Sequence, residues 1–481
     1  MTDSGFTFLT VDGQGRPLEP GSRSTIRSRC MMGVNVRQDS RRSKRRTQKT
    51  AGTTKPSTQG SPRESGIAER FEKTGTTAAS RIQGTTTCSP PLRSLQLRSR
   101  HFSLDLPHMS SSTLFTVMKY NDLLTTVYPL EPYLVFPEDQ GQRMSDYLKL
   151  LSDNQVLLNS VFFATYAVDD ICGGKQLSHK TQLLLSSVLS SLNQKLHQVA
   201  TQRSHSTFLI ILILLFGAEA FHDYDAVATH LDGLRRLFQL CEQPTSVDPR
   251  LLFKIQQFDL RSALATGRPL SFPLEIFGPE NVTDVFFDLP LGSSDILGLL
   301  AICPSLLECY QSLQTLAHDI NQFKVSGTYL SWNDFQTRVS TTQTQLINLG
   351  EGHIPEVGEA LRLGFLAFIS TLSRSPVQKP RLPNFITRLE MSYMLLQRRG
   401  DGYRGFTIWL LLMGYLSTVE FSNPIACCVW ADAVSFDMSW QTARLMMGSL
   451  PWIKSIHDEL GKQVFKDMQS GKRSRGLARV L

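Results

Sequence analysis

Nine apolar residues in a row, Phe208-Leu-Ile-Ile-Leu-Ile-Leu-Leu-Phe216, constrain this chain more than any other stretch. A helix built from them has no polar side to offer to water, so other elements must wrap it. Crossing a bilayer needs ~20 apolar residues, and this run is too short. A buried central helix is expected, with Ser206 or Thr207 as its cap. Asp225 is placed to cap a second helix, in which Val227, Leu231, Leu234, Phe238 and Cys241 recur on one face. A third helix, roughly Arg250 to Ala265, follows Asp248-Pro249 and stops at Gly267-Arg268-Pro269, a glycine-then-proline ending.

Helical spacing continues on both sides of this hairpin. Leu148, Leu151, Leu158 and Phe162 mark one helix ending near Cys172-Gly-Gly174, and residues 177–200 read as another. Beyond Pro290 a new apolar run begins, and residues 305–323 and 329–349 read as two helices, the second capped by Ser331. Pro355 to Leu372, 385–398 and 406–421 follow, with Pro376, Pro380 and Pro383 breaking the chain between the first two. No strand pattern of useful length and no repeat of fixed period appears in this part. The fold expected is all-α: one large multi-helix domain over residues 113–470, then a basic tail, 471–481.

Charge separates this body from what precedes it. Residues 1–100 carry 19 Lys/Arg and 7 Asp/Glu, a balance of +12; the other 381 carry 31 and 35, a balance of −4. Residues 1–50 therefore read as a basic arm, and 51–112, rich in Thr, Ser, Gly and Pro, as a disordered linker that cannot bury enough to offset its ordering entropy. Phe6-Thr-Phe-Leu-Thr-Val11 is either a short extended docking segment or plain disorder. Arg23 and Arg27, and again Arg37, Arg41 and Arg45, repeat at i+4, which would form basic stripes on a helix. Arg41-Arg-Ser-Lys-Arg-Arg46 has the composition of a nuclear-import signal or a phosphate-binding patch; a solvated charge run is the plainer reading.

Several of these stretches resemble a known family. His230-Leu-Asp-Gly-Leu-Arg-Arg-Leu237, then Asp259-Leu-Arg-Ser-Ala-Leu-Ala-Thr-Gly-Arg-Pro-Leu-Ser-Phe-Pro273, resembles the middle homology region of fungal-specific transcription factors. Leu450-Pro-Trp-Ile453 followed by His457-Asp458 resembles the C-terminal block of the same family. Arg23-Ser-Thr-Ile-Arg-Ser28 looks like the arginine-rich head of members that lack the usual six-cysteine zinc cluster. The first 100 residues hold only Cys30 and Cys88, too few for that cluster. The resemblance implies a nuclear regulator whose helical body holds a protein partner, a second copy of itself or a small effector. The arm would then supply import-receptor binding and salt-sensitive, low-specificity DNA contact through Arg23, Arg27, Arg37, Arg41, Arg42, Lys44, Arg45 and Arg46. No leucine heptad follows Arg46, so groove reading by a zippered basic helix is not expected.

Catalytic signatures are absent: no Gly-rich nucleotide loop, no nucleophile elbow and no zinc-protease helix motif. The eight cysteines lack C-x2-C spacing, which suits a reducing compartment and buried thiols. The polar start carries no secretory pattern, so a soluble intracellular protein is expected, without cofactor and without membrane contact. Three His-Asp dipeptides, His222-Asp223, His318-Asp319 and His457-Asp458, leave a helical metal-dependent hydrolase as a remote reading. Asp169-Asp170 reads as a helix end rather than a diphosphate motif. Asp259 falls near the buried face of its helix, where a bare carboxylate is costly. A structural ion pair with Arg268 is expected, with Arg235 or Arg236 as alternates. Non-enzymatic regulator is the first reading, and a co-regulator or scaffold that never touches DNA is the second.

Overall fold

A computed structural model describes residues 109–136, 140–174, 176–240, 248–272, 303–349, 354–374, 379–418, 423–448 and 450–478. Helices dominate these segments in the order α1 (Ser111–Val127), α2 (Gln140–Asp153), α3 (Gln155–Cys172), α4 (His179–Leu196), the short α5 (Val199–Gln202), α6 (His205–Ala220), α7 (Tyr224–Gln239) and α8 (Pro249–Thr266). Then come α9 (Pro304–Ser326), α10 (Trp332–Asn348), α11 (Glu356–Thr371), α12 (Pro383–Arg399), α13 (Arg404–Ser417), α14 (Pro424–Ala433), α15 (Trp440–Met446) and α16 (Lys454–Ala478). Among the described residues the only sheet is one parallel pair, Leu134–Val135 beside Leu330–Ser331. The fold is all-α. None of the described helices is long and apolar enough to cross a membrane.

The apolar run forms α6, and every residue from Ile210 to Phe216 is buried. Its cap lies earlier than expected: Ser204 accepts the Thr207 N–H at 3.3 Å, while Ser206 and Thr207 lie buried within the first turn. Likewise Asp223, not Asp225, caps α7 by accepting the Ala226 N–H at 3.0 Å. Ser331 stands at the N-cap of α10, but its side chain makes no capping bond. At the far end α16 runs on to Ala478, through the boundary expected at residue 470.

Two apolar cores share one helix. The first gathers α1 to α4, α6 and α7, and takes Leu251, Ile255 and Phe258 from α8. The second gathers α9 to α16, and takes Phe253, Leu260 and Leu264 from α8. Each set recurs at helical spacing, so α8 presents one apolar stripe to each core. Between the stripes lie Gln256, Gln257, Asp259, Arg261 and Ser262, all buried. A buried polar group must be paired, and here the pairs cross from one core to the other.

The crossing starts at Glu219 on α6, which Arg261 grips with two nitrogens, Nη2 at 3.0 Å from Oε2 and Nε on Oε1. Nη1 of Arg261 donates to Ser373 Oγ at 2.8 Å, and that hydroxyl donates to Gln257 Oε1 at 3.2 Å. Gln257 continues to Gln343 Oε1 on α10 at 3.2 Å, and Gln343 returns to the carbonyl of Gln256 at 3.1 Å. Ser340 closes the chain, donating to Gln256 Oε1 at 2.6 Å. Burial works against the Arg261 charge, but the Glu219 carboxylate outweighs it and holds the guanidinium above its usual pKa.

The block from Leu450 to Asp458 is an anchor for the second core. Trp409 donates its indole N–H to the Pro451 carbonyl at 3.0 Å. Asn321 on α9 clasps the next turn, donating to the Trp452 carbonyl and accepting the Lys454 N–H, both at 2.8 Å. Trp452 in turn donates its indole N–H to Asp458 at 2.7 Å.

Candidate functional site

The C-terminal end of α8 organises a cavity. Gly267 takes a left-handed conformation, φ 75°, and its N–H bonds to the Ala263 carbonyl at 2.7 Å. A side chain here would be strained, and its Cβ would sit 2.0 Å from the Asn384 amide nitrogen. The turn places the following residue, Arg268, in the lining of a cavity of about 280 Å³. Its walls come from the ends of α8 and α10, the flank of α11 and the start of α12.

Three arginines line this space: Arg268, Arg362 of α11 and Arg388 of α12. Glu359 tethers two of them. Arg362 reaches it through Nε at 2.7 Å and Nη2 at 3.1 Å, and Arg388 bonds to the same carboxylate. Arg362 also donates to the Leu346 carbonyl at 2.6 Å, which satisfies one of the free carbonyls at the end of α10. Against one carboxylate, three guanidiniums leave the cavity with a net charge of about +2. Leu264, Ile347, Leu366 and Phe385 supply the apolar wall.

The expected ion pair between Asp259 and Arg268 does not form. Asp259 is 2% exposed, so its burial matches the expectation. Its partners are instead backbone N–H groups of the turn that follows α8, Ser271 at 3.0 Å and Phe272 at 2.8 Å. Arg268 is exposed. Nor do the alternates reach Asp259: Arg235 and Arg236 pair with Asp232 at 2.9 and 2.8 Å. Burial pushes the Asp259 carboxyl up to about 6, and the two N–H donors hold it from rising further.

Asp259→Asn is therefore expected to cost about 1–3 kcal/mol, because an amide offers one acceptor oxygen and turns an –NH2 toward the other N–H. Arg268→Ala should stay within about 0.5 kcal/mol of wild type. Urea unfolding of both variants at pH 7.5 checks this, and the reverse ranking would argue for the ion pair.

The three His-Asp dipeptides take separate places. Asp223 caps α7, and Asp319 pairs with Arg338 at 2.7 Å while His318 is exposed. His457 is fully buried with both ring nitrogens engaged: Nδ1 accepts the Ile453 N–H at 3.0 Å, and Nε2 lies 2.8 Å from Thr371 Oγ1. Among the described residues no three His, Cys, Asp or Glu side chains gather where they could hold a metal ion. Asp169 holds Lys119 at 2.6 Å, and Asp170 accepts the Ser178 N–H at 2.8 Å ahead of α4. Both acids therefore act in packing, as a helix end should.

Arg23, Arg27, Arg37, Arg41, Arg42, Lys44, Arg45 and Arg46 lie outside the described residues, as does Phe6 to Val11. The Glu359–Arg362–Arg388 cluster and the Glu219–Arg261 pair were not foreseen. Glu219 gave a signal nonetheless: it is the one acid just past the apolar run, on a helix that must be buried. No protein-family model matches this chain, and neither a curated protein nor a solved structure matches it.

Proposed function

We propose that this chain is a non-enzymatic nuclear regulator, built as a helical interaction body behind a basic arm. The observation that carries the reading is where the family-like segments fall. Asp259 to Phe272 supplies the seam between the two cores and the turn that Asp259 ties down. Leu450 to Asp458 supplies the anchor of the second core. Both of these stretches thus have a structural task in the all-α body. The arm adds the cationic side chains needed for an import receptor and for DNA phosphates.

Filter binding of the full-length chain to random duplex, at low and at near-physiological salt, tests the DNA half of the proposal. Binding is expected at low salt. If Arg23, Arg27, Arg37, Arg41, Arg42, Lys44, Arg45 and Arg46 all sit on phosphates, log K should fall against log salt with a slope of about −7. Replacing Arg41, Arg42, Lys44, Arg45 and Arg46 by alanine should flatten that slope and abolish nuclear accumulation of a fluorescent fusion. No binding even at low salt, with accumulation intact, would leave the co-regulator reading in place of DNA contact.

A further inference from the structure

Of the three arginines at the cavity, Arg268 stands apart. Glu359 tethers Arg362 and Arg388, whereas no acid among the described residues pairs with Arg268. A guanidinium presents a planar fork that matches a carboxylate, and here it borders a wall of Leu264, Ile347, Leu366 and Phe385. The combination of a cationic rim and an apolar floor selects for a ligand with one end of each kind. Size narrows it further. At about 280 Å³ the cavity lies at the small end of the range for small-molecule sites, about 300–1,000 Å³, so the ligand must be small.

We propose that the cavity between α8, α10, α11 and α12 binds a small carboxylic acid with an apolar body. The carboxylate rests on Arg268 and the cationic rim, and the hydrocarbon part lies against Ile347 and Leu349, apolar lining residues that are not fully buried. Arg362, only 3% exposed, is too committed to Glu359 and Leu346 to swing outward, so it fixes the rim in place. An inorganic anion would meet the charge and leave the apolar wall wet. The site stands on the chemistry of the cavity alone and holds whether or not the chain regulates transcription.

Isothermal titration of the full-length chain at pH 7.5 tests it, with phenylacetate and octanoate as ligands and their neutral amides and inorganic phosphate as comparisons. At least one of the two acids is expected to bind at one site per chain, with its amide and phosphate at least about tenfold weaker. Arg268→Gln should weaken the acid by about tenfold or more, while Arg398→Gln, an exposed arginine on α12 away from the cavity, leaves it unchanged. An unchanged thermal midpoint for Arg268→Gln shows that any loss is local. Equal binding of acid and amide, tighter binding of phosphate, indifference to Arg268→Gln, or no binding of either acid at millimolar concentration would each overturn the proposal.

Discussion

Arg261→Met is expected to destabilise the helical body by about 3–5 kcal/mol, the cost of stranding one member of a buried ion pair. Arg261 and Glu219 are 3% and 2% exposed, so neither can turn to water when its partner is lost. The substitution keeps most of the side-chain volume and removes the charge. What remains is a bare carboxylate between α6 and α8, and Ser373 loses a donor as well. The double variant Glu219→Leu, Arg261→Met should recover most of the loss and finish within about 1–2 kcal/mol of wild type, because two apolar chains leave nothing unsolvated. Ser373 keeps Gln257 as a partner in that background. Urea unfolding followed by circular dichroism measures all three proteins. A single-variant cost below about 1 kcal/mol would mean that Glu219 finds water or another cation, and that the seam does not depend on this pair.

The parts of this molecule written in local spacing were legible, and those made by distant chain ends were not. The run from Phe208 to Phe216 could only be a buried helix, and Gly267-Arg268-Pro269 could only end one. Cap residues slipped by a turn or less because several capping side chains sit within a few positions of each other. Packing then chose among them: Thr207 was drawn inside, where it donates to the Thr201 carbonyl at 2.8 Å. Asp259 shows the limit plainly. Periodicity located it on a buried face and so required a partner, but the N–H groups that supply one belong to an irregular turn that no repeat encodes. The Glu219–Arg261 pair spans 42 positions, and the cavity is built from four helix termini and flanks. Its apolar residues look like any others in a core, and its arginines look like solvent-facing charge.

Acid should weaken this fold through His457, and the effect is separable from every other titrating group. Burial, helped by the positive charges of Arg374 and Arg444, pushes the ring down to about 3 from an unfolded value of about 6.5. Between those values the unfolded chain takes up a proton that the folded chain refuses. The contribution is therefore full above pH 6.5 and is lost as pH falls toward 3, at up to about 1.4 kcal/mol per pH unit. Asp259, raised to about 6, works in the opposite direction over part of this range, so the wild-type profile alone would blur the two. His457→Gln removes only the imidazole. It should cost about 2–4 kcal/mol at pH 7.5, since the ring packs between Phe368 and Trp452 with centroids at 5.4 and 5.0 Å. The gap between wild type and variant should then shrink by about 2 kcal/mol by pH 5, because the glutamine does not titrate while Asp259 is common to both proteins. Parallel urea unfolding at pH 7.5, 6 and 5 reads the gap directly. A constant gap would show that the fold admits the proton, and that the bonds to Ile453 and Thr371 do not hold the ring neutral.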